Sequence, residues 1–507
     1  MKVLVLGASG IIGQHMRLCV PSGIEPVWCR READALHRGI DLSTGADIRS
    51  VLNLEKFYAI VNLAGESRVD VVEKNSIEYE WINARLPEWI SIFMGRECKL
   101  IHVSSQACYG EPVNEYGRQK QYAEREAIKN GAVVVRPSFI LGVRPLPHVG
   151  RENPLEAMFD WVDRGNNRYM PQAWDRWFSP CFAREAAHAI WEAVLNGNLG
   201  EVINVGIPER MSRADIAEVV GCAVEKRTHA SFRGIAERPT DTTYEDGVHQ
   251  ASFNENLNAC RYQRKLDHAI ELALFCGMQL DASLDKLAQG FGPLHNEVTA
   301  DFNASKPVTD QELLDWYRKT ETYIWELTAY HNDPGFNYSG MCEGLITRLK
   351  GEGMKRILVL GDGIGTFSIK ANEAGLDPTY HDLEGSCTAE FAMFRFWRQG
   401  LAMPAYLTST FNPGAIGASD LVCGFDAVVS LDFLEHVTNV EAWARAAYAA
   451  LRPGGLLVAQ NAFGMGSGPN GAMPMHLEVN DRFEKDWDPL LFSLGFVQES
   501  SNWYRKP

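Results

Sequence analysis

Twice in this chain a short apolar run ends in a cluster of glycines that opens a helical pattern. The first is MKVLVLGASGIIGQHM at the N-terminus, and the second is KRILVLGDGIGTFSIK from Lys355. A run of four or five apolar residues is a buried strand, and a glycine turn lets the next helix start hard against it. Such a unit presents uncapped backbone N–H groups at the helix N-terminus, which suits a pyrophosphate or another polar ligand group. In the first unit Gly7, Gly10 and Gly13 have the spacing G-x-x-G-x-x-G; in the second Gly361, Gly363 and Gly365 give G-x-G-x-G. A chain of 507 residues is too long for one ordinary core. Two glycine turns about 350 residues apart therefore predict an α/β protein with two Rossmann-like doubly wound domains in tandem.

Composition narrows the class. The net charge of -16 excludes the basic footprint of a nucleic-acid binder. The eleven cysteines are scattered and form no C-x-x-C pair, which favours reduced thiols and argues against a zinc site, so no metal is expected. The first apolar run, Val3 to Leu6, is too short for a signal peptide, and no apolar stretch approaches a membrane span. A cytoplasmic enzyme with a small-molecule substrate is expected, and a homodimer is possible.

Chemistry concentrates in HVSSQACYGEPVNEYGRQK, residues 102–120. Tyr116 and Lys120 are one helical turn apart and share a face. An ammonium beside a phenol favours phenolate, so the phenol's pKa is expected to fall. Such a tyrosine can pass a proton to or from a carbinol oxygen, and Ser105 can hold the same oxygen. Upstream, the second strand (Glu25 to Cys29) is followed by Arg30 and Arg31, where an acid would meet a free ribose 2′-hydroxyl. Two guanidinium groups suit a 2′-phosphate, which predicts NADP rather than NAD. Asp41 and Leu42 can reach the adenine edge, and AIVNLAG brings the small residues Ala64 and Gly65 against a cofactor.

GASGIIG, NLAG, HVSSQACYG, YGRQK and RPSFILG together resemble the extended short-chain dehydrogenases/reductases of the NAD(P)-dependent epimerase/dehydratase type, over residues 1–277. The resemblance implies that Ser105, Tyr116 and Lys120 are the catalytic triad and that Asn83, in WINARLPEW, supports the lysine through water. It also implies a small C-terminal substrate-binding subdomain, and the subgroup it looks most like is the 4-ketosugar reductases. The residues from Arg144 to Trp177, rich in Pro, Arg and Trp, offer Arg144, His148, Arg151, Arg168, Trp174, Arg176 and Trp177 either as a grip on a phosphorylated ligand or as an ordinary solvated loop.

Residues 278–309 are turn-rich and polar and read as a linker. Residues 310–350 have helical spacing, and their aromatics Trp316, Tyr317, Tyr323, Trp325 and Tyr330 are either core or a lid. Beyond them, TYHDLEG ends a strand with Asp382, FDAVVSLDFLEHV ends one with Asp432 before Glu435 and His436, and LRPGGLLVAQ is a helix end, a turn and a strand. With the second glycine turn this set resembles the class I S-adenosylmethionine-dependent methyltransferases over residues 310–507. The resemblance implies that Gly361, Gly363 and Gly365 lie beside the amino-acid end of S-adenosyl-L-methionine and that Asp382 holds its ribose. Leu431 to His436, Asp432 included, border the sulfonium and the substrate. His436 and His476 are base candidates.

The expected function is that of a bifunctional tailoring enzyme: NADPH-dependent reduction of a ketone, such as a nucleotide-linked ketosugar, and methylation of the same or a related substrate. The alternatives are an epimerase or dehydratase with tightly held NAD(P), or a non-catalytic cofactor-binding scaffold for the methyltransferase.

Overall fold

A computed structural model of the chain describes every residue except 95–96, 166–167, 233, 235, 308, 410–423 and 465–474, and the side chain of Tyr406. Two compact units divide at Ser283/Leu284.

In the first unit the run KVLVL forms the strand Lys2–Leu6, an inner strand of a seven-stranded, all-parallel sheet. From one edge the strands are Val202–Val205, Val133–Pro137, Lys99–Val103, Ala59–Asn62, Lys2–Leu6, Glu25–Arg30 and Arg38–Gly39. Leu6 pairs with Cys29 on one side and Asn62 on the other, so three strand ends finish level and their loops open along one edge. A parallel sheet covered on both faces needs strands that are apolar throughout, and Val3 to Leu6 are fully buried. Alternation then sorts them. Val3 and Val5 pack with Ala186, Ile190 and Trp191 of the helix Ala183–Asn196. Leu4 and Leu6 face Ile48, Leu86 and Ile90. This is the Rossmann-like parallel sheet expected for the first half.

The expected smaller subdomain is built from short strand pairs, Phe139–Leu141 with Pro180–Phe182 and Met170–Ala173 with Val224–Arg227, together with the three-stranded set around Trp177–Phe178. Its core includes Phe159, Phe178, Phe182, Ile216 and Leu257.

The second unit begins earlier than the sequence suggests. Residues 278–309 are not an open linker: Leu280–Leu287 and Phe291–Ser305 are helices. Polar residues hid the short apolar stripe that makes the second helix pack. Val298, with Phe302 alongside, meets Trp316 and Met475. Helices Asp310–Lys319, Tyr323–Asn332 and Tyr338–Gly351 follow, the first entered through a capping box of Thr309 and Glu312. The sheet runs Ala405–Thr408, Asp377–Leu383, Arg356–Leu360, Phe425–Leu431, Leu451–Gln460, Trp503–Arg505, Val497–Ser500. Trp503–Arg505 is antiparallel to Leu451–Gln460, while the first five strands are parallel. Ile357 and Val359 pack on Cys342, Leu349 and Phe367; Leu358 and Leu360 pack on Trp443, Ala447 and Leu491. Among the described residues no helix is long and apolar enough to cross a membrane.

Candidate functional sites

The first cleft opens at the C-terminal ends of the central strands. It is about 570 Å³ in volume, and its lining includes Gly7, Ser9, Arg30, Arg31, Ala64 and Gly65. Gly7 has a positive φ of 74°, and a Cβ there would lie 2.7 Å from the Ala64 backbone nitrogen, so no other residue fits this turn. Gly10 is different: it is exposed, and a Cβ on it would meet only the Gly7 carbonyl at 3.5 Å. Gly13 is buried inside the helix Ile11–Arg17, whose N-terminus no side chain caps. Free N–H groups above an open glycine, beside a cleft within the usual 300–1,000 Å³ of a ligand site, fit a nucleotide diphosphate.

The two arginines are not equivalent. Arg30 donates to Asp34 at 2.7 Å, and Asp34 also takes the His37 ring at 2.7 Å. Arg31 is exposed at the rim. Asp41, expected against the adenine, is exposed and its carboxylate accepts from the Ser43 N–H at 2.9 Å, while its neighbours Ile40 and Leu42 line the cleft. The alternation of an extended segment explains this: Asp41 points away when both neighbours point in.

Behind Gly65, which lines the cleft, lies Lys120. A Cβ on Gly65 would sit 3.3 Å from Lys120 Nζ and 2.9 Å from Asn83 Oδ1. Tyr116 and Lys120 lie on one face of the helix Glu115–Lys129, which Asn114 caps by accepting from the Gly117 N–H. Ser105 stands beside Tyr116 as a polar neighbour that favours the phenolate. Burial nonetheless pushes the Tyr116 phenol up to about 12. The expected depression of this phenol is therefore corrected: desolvation outweighs any help from lysine. Burial acts on Lys120 instead, bringing it down to about 8. Lys120 Nζ donates to the Val103 carbonyl at 3.4 Å. Asn83 lies in a π-helical segment, Trp81–Arg85, a distortion frequent at functional sites. Its amide donates to the Glu66 carbonyl and to Gln119 Oε1, and its oxygen accepts from the Glu66 N–H.

The sequence reading missed His102 and Asn62. They are register partners at the strand ends, both buried, and among the described residues His102 Nδ1 and Nε2 and Asn62 Nδ2 have no hydrogen-bond partner. The signal was present as polar residues inside apolar strands. Of the Arg144–Trp177 group, Arg144 is held by Glu156 at 2.8 Å and Arg176 lies 3.6 Å from Asp175. His148, Arg151 and Arg168 are exposed, and the Arg151 charge acts on Tyr116. Trp174 and Trp177 meet edge to face at 6.5 Å.

The second pocket is about 100 Å³ and gathers Gly361, Gly363, Asp382, Asp432 and His436 with Tyr317, Tyr323 and Tyr330. The aromatics thus divide: these tyrosines line the pocket, while Trp316 and Trp325 are buried in the core. Asp382 accepts from Gly363 N–H and Leu383 N–H, each at 2.7 Å, and burial raises it to about 7. Asp362, buried below the turn, accepts from the Phe367 and Ser368 N–H groups and is raised to about 6 by the same cause. Asp432 carries a positive φ of 47°, uncommon without a glycine, and burial lifts it to about 6. Phe433 covers the turn: a Cβ on Gly361 would fall 2.0 Å from its ring. Gly365 is closed in by Phe396, 2.7 Å from such a Cβ.

His436 Nδ1 lies 3.0 Å from the Tyr317 hydroxyl and 3.1 Å from the Met475 carbonyl, and burial drives this ring down to about 3. His476 is also buried and lowered by burial. Buried imidazoles of this kind stay neutral, each with a single N–H, and their weak basicity makes either histidine a poor general base. Most of the loop before His476, GSGPNGAMP, lies outside the described residues.

A parallel α/β sheet with a glycine turn and a serine–tyrosine–lysine set at its strand ends defines the first unit as a Rossmann-like protein of the short-chain dehydrogenase/reductase type. Residues 1–271 match the RmlD substrate binding domain family, and the chain belongs to that family. No curated protein matches the chain. Among solved structures it is similar to a dTDP-4-dehydrorhamnose reductase from Bacillus anthracis in complex with NADP, at 17% identity and TM-score 0.45, covering 52% of this chain and 99% of that one. It is also similar to the dTDP-4-dehydrorhamnose reductase of Yersinia enterocolitica, at 17% identity and TM-score 0.44, covering 51% and 98%. A dTDP-glucose 4,6-dehydratase from Bacillus anthracis in complex with NAD matches at 18% identity and TM-score 0.43, covering 53% and 98%.

Proposed function

We propose that residues 1–283 reduce the ketone of a nucleotide-linked sugar with NADPH and that residues 284–507 methylate the same or a related molecule. The observation that carries the first half is Tyr116 with Ser105 beside it and Lys120 one helical turn on, Lys120 standing behind Gly65 of a nucleotide-sized cleft, in a member of this family. The bound nicotinamide supplies the hydride. The chain's part is to give a proton to the new alkoxide: Tyr116 donates, Ser105 fixes the carbonyl oxygen, and Lys120 sits where its charge offsets the developing phenolate. Gly7, Gly10, Ala64 and Gly65 leave room for the cofactor backbone. Arg31 serves the 2′-phosphate, with Arg30 shared between it and Asp34. Arg151, exposed and electrostatically coupled to Tyr116, is the candidate contact for a substrate phosphate.

For the second half the support is the strand order with its one antiparallel strand and the acid-lined turn. Three carboxyls, of Asp362, Asp382 and Asp432, lie at a pocket with tyrosine walls, a donor set that fits a cation-bearing nucleoside such as S-adenosyl-L-methionine. Asp382 would hold the ribose, and Phe433 must leave Gly361 for a ligand to lie on the turn. That ligand supplies the methyl group.

The pairing of Arg30 with Asp34, and Glu32 in the cleft lining, favour a second reading. In it the first unit keeps a tightly held NAD and epimerises or dehydrates its sugar. A mass-spectrometric screen of nucleotide-linked ketosugars with NADPH and S-adenosyl-L-methionine tests both. Mass gains of two hydrogens and of one CH2 unit (a methyl in place of a hydrogen) are expected; protein purified with oxidised NAD and active without added NADPH would establish the second reading.

A further inference from the structure

At the edge of the second pocket, which His436 lines, three buried side chains converge. Glu435 and His436 are neighbours in the short turn Leu434–His436 after the strand Phe425–Leu431. His476 arrives from the segment after Leu451–Gln460. One oxygen or nitrogen from each lies within 4.8 Å of the other two. Their exposures are 1%, 9% and 7%. Atoms bonded to one ion at about 2.0–2.2 Å stand roughly 3–4.4 Å apart, so the cluster needs little adjustment to close on a metal.

The hydrogen bonds decide which atoms are available. Glu435 Oε1 accepts from the Ala462 N–H at 2.7 Å, while Oε2 is buried with no partner among the described residues. His436 Nδ1 faces the Met475 carbonyl at 3.1 Å, and His476 Nδ1 faces the Ala462 carbonyl at 3.2 Å. A carbonyl only accepts, so both rings carry their proton on Nδ1, and the Tyr317 hydroxyl then accepts beside Met475. Each ring is left with its Nε2 lone pair. An imidazole tied through N–H to a carbonyl is the usual second shell of a metal-bound histidine. Edge-to-face packing of the two rings, at 4.7 Å, explains their contact but not the orphaned carboxylate oxygen. A buried carboxylate oxygen without a partner is costly, and a cation removes that cost.

We propose that Glu435, His436 and His476 bind one divalent ion of the zinc class. Two imidazoles and one carboxylate suit zinc over magnesium or calcium, which prefer oxygen ligands. Three protein ligands leave a fourth position open, and one of them, His436, lines the pocket together with Asp432. The position suits a hydroxyl oxygen, which ionises more readily on such an ion. Both histidines are then ligands instead of proton acceptors.

The test uses full-length protein stripped with a chelator and titrated with Zn²⁺ and Co²⁺. One equivalent should bind, and Co²⁺ should give visible ligand-field absorption of a four- or five-coordinate site. Glu435→Gln and His476→Asn, checked for folding by circular dichroism, should each weaken Zn²⁺ binding by on the order of 10-fold or more. Asp382→Ala should leave Zn²⁺ uptake unchanged whatever it does to S-adenosyl-L-methionine, which separates this site from the donor site. Failure of the wild-type protein to take up stoichiometric Zn²⁺ or Co²⁺ overturns the proposal, with or without folded variants; equal affinity in a folded Glu435→Gln protein does so as well.

Discussion

The two glycine turns start from nearly the same sequence, VLVLGASG and ILVLGDGIG, yet their surroundings are opposite. Above Gly10 there is open space and a cleft of about 570 Å³. Above Gly361 lies the ring of Phe433, and the pocket is about 100 Å³. The first site is a preformed groove with cationic side chains at its rim. The second is a smaller, acid-lined space walled by tyrosines. A strand–turn–helix therefore fixes where a ligand can approach the backbone; the residues that follow neighbouring strands decide whether the approach is open and which charge it favours.

The largest expected effect tests whether the two sites act separately. Tyr116→Phe removes the proton donor and keeps the ring, so ketone reduction should fall by roughly 10²-fold or more, with methylation unchanged. Asp382→Ala should do the reverse, abolishing S-adenosyl-L-methionine binding by calorimetry and sparing NADPH binding. A Tyr116→Phe protein that reduces normally, or an Asp382→Ala protein that stays folded yet loses both ligands, would break the comparison.

Next come the glycines. Gly361→Ala must place a side chain at φ 60° and against Phe433, so the ligand-free protein should lose about 2–4 kcal/mol of stability in denaturant melts. Gly10→Ala meets no such neighbour; the fold should be nearly unaffected while NADPH affinity drops. If both variants melt alike, the contrast between open and covered turns is wrong.

Cofactor choice gives a smaller effect. Arg31 is exposed at the rim and Arg30 is shared with Asp34. Arg31→Ala should narrow the preference for NADPH over NADH by about 10-fold, the scale of one charge-assisted hydrogen bond, and Arg30→Ala by less. Equal affinities for the two cofactors in the wild type would favour the second reading.

Much of this was legible in the sequence, and the parts that were not have common physical causes. Strands with four consecutive apolar residues and glycines at fixed spacing declare a covered parallel sheet, so Lys2–Leu6 and Arg356–Leu360 could be placed at once. Tyr116 and Lys120 are local on one helix and needed no tertiary information. The helix Phe291–Ser305 was hidden because its buried stripe is only Leu294 and Val298. The direction of the Tyr116 shift was misread because burial is a property of the assembled fold and not of the Y-x-x-x-K spacing. Phe433 over Gly361, and the approach of His476 to Glu435, join residues far apart in sequence, which no local pattern encodes.

The smallest effect concerns proton linkage, where the two sites should respond to pH with opposite sign. Asp382 is raised in the folded protein from an ordinary carboxyl value to about 7. Between about pH 4 and 7 the folded chain keeps a proton there that the unfolded chain has released. Asp382 therefore contributes stability at low pH that is lost as pH rises through about 7. Lys120 is lowered to about 8, so above that pH the unfolded chain holds the extra proton until about 10.5. Its burial thus destabilises the fold at neutral pH, and stability returns as pH rises from about 8. Other groups titrate in both ranges, the buried histidines among them, so each effect is read as a difference against a variant that removes one group. Relative to Asp382→Asn, the wild-type melting temperature of the second unit should fall from pH 5 to pH 7.5. Relative to Lys120→Met, that of the first unit should rise from pH 8 to pH 10. Slopes of the same sign would mean that the two sites do not differ in the electrostatic character their linings imply.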